Sequence, residues 1–447
     1  MDEKNYLEQL AAFLSRVTTA DLPHDVVEKS KDCILDVVEC VYGANPDDSR
    51  IVSARNSISL LSAGSALWGM SARATAADAA FYNALCASVS YRNDLERKSG
   101  THAGAVVTAA AVSAAETYGA GPADTLAGVV CGYEAMARLG RVLQTAGLSH
   151  ALRISALTAA FGAAAAVSRT LSFPERQFVS ALSFACHSAS GNNQWGIDGT
   201  GEDVFQAGWG ARNGYQAAML AMGGAEGTAN ALEGPAGFLE GAGARSFAPL
   251  LTEDLGKTYY IRNVEFKPVE GCLMVQTPAQ AAARLAKKTP LSAGEIMSVQ
   301  IYVSKQAMDQ PGCDSLRVHN VVQAKMNIRY ATAAALIRRS CEGIPWYPPF
   351  DEGALRLMER CSLEEASHFT AVFPQTIPAK VVVRTASSDA LMIEQPDFQG
   401  LTRDELAARF QKTVSARRSA CAAEEMRKAI DSWLSAASVA EITNTWR

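Results

Sequence analysis

Between Ala76 and Leu251 nearly every segment is rich in alanine, with apolar residues at helical spacing, and this run constrains the fold more than any other feature. Alanine is the best helix former and puts little side chain between neighbouring helices. Segments 103–117, 123–144, 156–171 and 174–190 therefore predict a bundle in which backbones approach closely, with Asp124 and Ser172 expected near the starts as caps. Upstream, 5–20 and 25–43 carry the same spacing, as in Val27, Ile34, Val38 and Val41, with Pro23 placed to open the second helix.

The texture changes after about residue 255. Val299, Ile301 and Val303 alternate with Ser298, Gln300 and Tyr302, and Val381 and Val383 lie in a β-branched run opened by Pro378. Phe369, Ala371 and Phe373 alternate as well and are read as a strand. Helical spacing returns over 403–436 with Leu406, Phe410, Met426, Ile430 and Leu434. The expected fold is mainly α: a large all-α domain over 1–264, a smaller α+β domain over 265–400, and C-terminal helices over 401–447 that pack back on the first domain.

With 41 Lys+Arg against 46 Asp+Glu the formal charge is −5, which argues against a nucleic-acid partner that would need a basic face. At 48% hydrophobic and 19% charged the chain carries enough apolar residues for a large core. The opening Met1-Asp2-Glu3-Lys4-Asn5 lacks the basic start of an export signal, and the most apolar runs are short and interrupted by Thr, Ser and Gly. A soluble, cytoplasmic protein without membrane association is expected. Ten cysteines make no CxxC pair and read as reduced core residues. Six histidines make no short-range metal pair, so no metal is expected.

Three polar segments stand out in this apolar setting. Segment 91–102 joins two apolar helices and carries Arg92, Asp94, Glu96 and His102; it is either a site loop on a rigid scaffold or a solvated connection. Segment 191–214 is glycine-rich but fits no nucleotide-binding pattern, so its glycines read as tight turns and close helix contacts. Its Glu202, Asp203 and Gln206 either face a cleft or sit at a helix start. Lys267, followed by Pro268, lies at the expected domain junction as a site lysine or an ordinary surface one.

Taken in order, these segments resemble the MmgE/PrpD family, which includes methylcitrate dehydratase, cis-aconitate decarboxylase and iminodisuccinate epimerase. The residues that carry the likeness are Phe81-Tyr-Asn-Ala, Asp94 with His102, Gly132-Tyr-Glu with Arg138-Leu-Gly, and Phe161-Gly-Ala-Ala-Ala-Ala. Leu232-Glu-Gly, Gly237-Phe, Lys267-Pro with Cys272, and Tyr330-Ala with Ala333 complete the set. The resemblance implies an all-α domain, a smaller α+β lid, an active site between them, a homodimer, and no metal or organic cofactor.

The chain also departs from the family's pattern. An aspartate position is Arg92, a proline after the histidine is Ala103, and a His-Pro-Thr stretch falls on Arg153-Ile-Ser. A lysine and a histidine of the lyases fall on Asp203 and Gln206, and a histidine after Cys272 falls on Gln276. The implied chemistry is proton transfer next to a carboxylate, which needs a base at carbon and cations for the charge spreading onto oxygen. His102, Lys267, Asp94 and Tyr330 are the expected catalytic set; Arg92, Glu96, Arg153, Asp203, Gln206, Cys272 and Gln276 are expected to bind a small carboxylate substrate. The alternatives are a non-catalytic ligand-binding relative and a specialised biosynthetic isomerase or cyclase on a larger substrate.

Overall fold

The alanine-rich segments wind into α1 (Tyr6–Leu14), α2 (His24–Gly43), α3 (Ala76–Val89), α4 (Ala103–Tyr118), α5 (Pro122–Thr145), α6 (Ile154–Thr170), α7 (Glu175–Cys186) and α8 (Asp203–Met222). They come from a computed structural model that describes residues 5–386 and 390–447. The chain divides into two units, one of Met1–Asn192, Glu202–Phe266 and Thr402–Arg447, the other of Asn193–Gly201 and Lys267–Leu401.

In the first unit α6 is the central helix, packed against α4, α5, α7 and α8, and almost every residue on it is buried. Its small side chains let neighbours come close. A Cβ on Gly214 of α8 would stand 2.4 Å from the Ala160 carbonyl oxygen and 2.4 Å from the Ala163 Cβ. Gly214→Ala is therefore expected to push α8 off α6 and to destabilise this unit by about 1–3 kcal/mol, read as a lowered urea midpoint.

The bundle corrects several local expectations. Helix α1 ends at Leu14, well before residue 20, and α7 ends at Cys186. Neither Asp124 nor Ser172 caps a helix. Helix α5 starts from Gly121 with Pro122 in its first turn, and Asp124 lies inside that turn, where it accepts a 2.9 Å bond from Arg169. Helix α7 starts at Glu175 with Pro174 as its N-cap, and Ser172 sits in a left-handed turn at φ 54°. Pro122 suits its start because its missing N–H is not needed in a first turn, and Pro174 brings the chain in extended before its helix.

The second unit holds α9 (Leu273–Lys288) and α10 (Ile328–Arg338), packed on each other. Its sheet contains β1 (Ile296–Val303), β2 (Cys361–Glu365), β3 (Ala379–Thr385) and β4 (Leu391–Gln395), in the order β2-β1-β3-β4. Strand β1 pairs parallel with β2 and antiparallel with β3, and β3 pairs antiparallel with β4. Val299, Ile301 and Val303 are buried, while Ser298, Gln300 and Tyr302 are half-buried, as period-two alternation requires. The run from Phe369 to Phe373 is not a strand. Residues Ser367–Val372 form a short helix that buries Phe369 and exposes Ala371; Phe369 and Phe373 are four apart, a spacing that fits one helical face as well.

At its end the chain re-enters the first unit as α11 (Arg403–Arg417), which packs on α2, and α12 (Ala420–Asp431). Leu406, Phe410, Met426 and Ile430 are buried, but Leu434 is exposed, because the helix breaks after Asp431 and a 3-10 turn buries Trp433 instead. Among the described residues, no helix is long and apolar enough to cross a membrane. The ten cysteines are free thiols: six are buried, and Cys421 is exposed.

Candidate active site

Segment 91–102 is a folded loop rather than a solvated one. Glu96 and Thr101 exchange backbone bonds of 2.9 and 3.2 Å, and Leu95 and Glu265 exchange bonds of 3.0 and 2.9 Å. The Glu96 carboxylate accepts a 2.8 Å bond from the Ser99 N–H and is buried, which raises its pKa by desolvation. Glu96, expected to bind substrate, thus holds the turn that it belongs to.

His102 is the N-cap residue of α4, and its N–H donates 3.1 Å to the Ser155 hydroxyl in the first turn of α6. Its Nδ1 lies 2.7 Å from the Asp94 carbonyl oxygen. A carbonyl only accepts, so Nδ1 carries the proton and Nε2 is the basic nitrogen of the neutral ring. Asp94 therefore orients His102 through its backbone. Its carboxylate serves elsewhere, taking a 3.1 Å bond from the Gly104 N–H at the start of α4 and a short one from the Tyr133 hydroxyl. An anion at that helix start is favoured by the peptide dipoles.

Behind this loop lies a buried ionic network that sequence reasoning missed. Asp36 and Glu39 of α2 have no exposed surface. Arg409 of α11 reaches both, 2.7 Å from Asp36 and 3.2 Å from Glu39. Arg92 lies 3.3 Å from Glu39 and runs over Gly43, where a Cβ would sit 1.8 Å from its guanidinium. Burial pushes the Asp36 carboxyl up to about 7, with Arg409 pulling it down and the Asp94 and Glu39 carboxylates adding to the rise. Asp36, Glu39 and Cys40 have the spacing of a cation site, but two guanidinium groups already supply the positive charge there. The signal available in the sequence was two acids inside the apolar run Cys33–Tyr42; nothing marked Arg409 as their partner.

A second cluster joins the starts of α6 and α8. Arg153, at the N-cap of α6, donates 3.0 Å to the Asp203 carbonyl and lies 3.4 Å from the Gln206 side-chain oxygen. The Asp203 carboxylate is buried and accepts 2.8 Å from the Tyr91 hydroxyl. Desolvation raises its pKa against the pull of Arg153 and Arg50. Gln206 also donates 2.9 Å to the Asn192 carbonyl, and Glu202 is exposed at the helix start. Arg50 is held bidentately by Asp48 and sits over the Tyr91 ring, whose backbone is at φ 60°. The His102–Ser155 bond connects the two clusters, since Ser155 follows Arg153 by two residues.

The remaining candidates lie in the second unit. Lys267 is 2% exposed, so it is no surface lysine, and its Nζ is 3.5 Å from the Gly271 carbonyl. Gln276, expected to bind substrate, instead clasps the loop before α9: its amide donates to the carbonyls of Val269, Gly271 and Cys272, and its oxygen accepts from the Val269 N–H. Tyr330, expected to deliver a proton, is fully buried and donates 2.7 Å to the Pro345 carbonyl. Burial pushes its hydroxyl up to about 12. Cys272 is the N-cap of α9, with its sulfur 3.8 Å from that of Cys313.

Residues 8–246 match the MmgE/PrpD N-terminal domain and residues 271–435 the MmgE/PrpD C-terminal domain. The chain belongs to the MmgE/PrpD family. A cis-aconitate decarboxylase of Aspergillus terreus (strain NIH 2624 / FGSC A1156) is 25% identical over 357 residues, covering 74% of this chain and 72% of that protein. A second cis-aconitate decarboxylase of Aspergillus terreus is 24% identical over the same shares. Within this MmgE/PrpD chain, Arg153 touches both Asp203 and Gln206, so the three residues form one local set. Asp94 and His102 share the hydrogen bond that fixes the imidazole.

Proposed function

We propose that this chain is a cofactor-independent lyase or isomerase that moves a proton on carbon next to a carboxylate of a small polar acid. The observation that carries the reading is the His102 Nδ1 bond to the Asp94 carbonyl, which leaves Nε2 as the proton-transfer atom. The Ser155 tie holds the His102 backbone at the first turn of α6, two residues after Arg153, whose planar fork suits a carboxylate. The likeness to cis-aconitate decarboxylases supports an acid as substrate. Asp203 and Gln206, in place of the lyases' lysine and histidine, favour a ligand other than the substrates of the dehydratases and decarboxylases. Asp94 stays in the proposed site as the residue that orients the imidazole.

A non-catalytic binding relative is the second reading, favoured by the pairing of Arg92 with Glu39 and of Arg153 with the Asp203 carbonyl. Deuterium exchange separates the two. Incubated in D2O with a panel of di- and tricarboxylates and amino-acid imines, the protein is expected to label at least one acid at the carbon next to its carboxylate. Binding of a panel member, seen by calorimetry, with no label entering at any carbon would leave the non-catalytic reading.

A further inference from the structure

The loop that carries His102 is anchored by a carboxylate no sequence pattern singled out. The Asp94 N–H donates 3.0 Å to one oxygen of Asp36, and Arg409 holds the other oxygen at 2.7 Å. Beyond Asp94, its peptide with Leu95 is clamped at both ends: the Leu95 N–H donates to Glu265, and the Asp94 carbonyl takes the His102 Nδ1 proton. We infer that Asp36, held by Arg409, is a positioning residue that sets the tautomer and orientation of His102 through the Asp94 backbone.

The reasons are geometric. Asp36 has no exposed surface, so its acceptor lies in a low-dielectric setting where a bond to a backbone N–H is strong and directional. A buried carboxylate is kept only at a cost that ion pairing must offset, and the nearest ion pair comes from α11, far away in sequence. Other charged or titratable groups face it: Glu39 and Cys40 on its own helix, Asp94 from the loop, and Arg409 from α11, with Arg92 on Glu39. The three acids and two arginines leave this cluster one acid in excess, which agrees with the upward displacement of the Asp36 carboxyl. Holding a histidine by its Nδ1–H from a backbone carbonyl, which is itself fixed from behind, is how a ring nitrogen is preset for proton transfer.

This inference rests on the proposed role of His102, and its test keeps the two apart. The ring nitrogens of 15N-labelled histidine are followed by NMR, with His102 assigned from the spectrum of His102→Ala. The unaltered protein is expected to hold one tautomer, protonated at Nδ1. Asp36→Leu, which keeps volume but has no acceptor, is expected to give a mixture of tautomers and to lower kcat of the exchange reaction about 10–100-fold, with KM little changed. Asp36→Asn, which retains an acceptor, is expected to restore the tautomer in large part. Arg409→Gln frees Asp36 without removing it and gives the same test, with partial loss of the tautomer, should Asp36→Leu not fold.

A folded Asp36→Leu or Arg409→Gln variant with the tautomer intact overturns the inference, whatever its activity. Disturbed tautomers in these variants, together with full activity in His102→Ala, would sustain the inference and remove His102 from the reaction.

Discussion

Replacing His102 with alanine is expected to lower turnover, or deuterium exchange on whichever acid the protein labels, by about 10²–10⁴-fold. That magnitude belongs to a positioned general acid or base, and the structure supplies the positioning: the ring is fixed at Nδ1 by the Asp94 carbonyl, and its backbone is tied to Ser155. His102→Gln is not expected to rescue the rate, because its amide takes the place of Nε2 but neither takes nor returns a proton. Added imidazole is expected to recover part of the rate in His102→Ala and none in His102→Gln, where the longer side chain still fills the place of the ring. Ser155→Ala removes only the backbone tie and is expected to act far less. A His102→Ala variant with the rate of the unaltered protein would take the histidine out of the mechanism and leave Arg153 and Lys267 to be tested in its place.

The helical half of the chain was legible because alanine at helical spacing has few alternatives. The errors fell where two periods agree over a short stretch, as at Phe369 and Phe373, or where proline outranks a polar cap, as at Pro122 and Pro174. The site was legible in part. Asp94 and His102 do meet, but by backbone rather than carboxylate, a distinction that no spacing encodes. Glu96, Gln276 and Tyr330 have the right chemistry for a substrate, yet each is engaged by its own surroundings, since polar groups in a tight bundle must find partners. Asp36 and Arg409 could not be paired in advance, because their contact is set by how α11 returns onto α2.

The second large effect is expected at Arg138, whose neighbourhood explains why Gly132-Tyr-Glu and Arg138-Leu-Gly stand one helical turn apart. On α5, Glu134 and Arg138 form a buried pair at 3.2 Å. Arg138 also donates 2.7 Å to the Glu253 carbonyl and reaches those of Leu251 and Thr258, while Glu134 accepts from the Tyr260 N–H. The pair therefore binds segment 251–260 to the bundle. Arg138→Met keeps much of the volume but strands a carboxylate without exposure, and is expected to destabilise the first unit by about 3–5 kcal/mol, seen as a lowered urea midpoint. The pH dependence gives a sharper check. Burial, opposed by Arg138, pushes the Glu134 carboxyl from 4.5 up to about 7. The folded state then holds a proton that the unfolded chain releases, so the contribution of this group is complete below pH 4.5 and is lost as pH rises through about 7. Removing Arg138 takes away the charge that holds this carboxyl down, so its pKa climbs further and the loss grows on the alkaline side. The stability difference between Arg138→Met and the unaltered protein is expected to be largest near pH 8 and to narrow toward pH 5, where Glu134 is protonated in both. A difference that stays constant across that range would mean that the cost comes from the three broken carbonyl contacts rather than from the stranded charge.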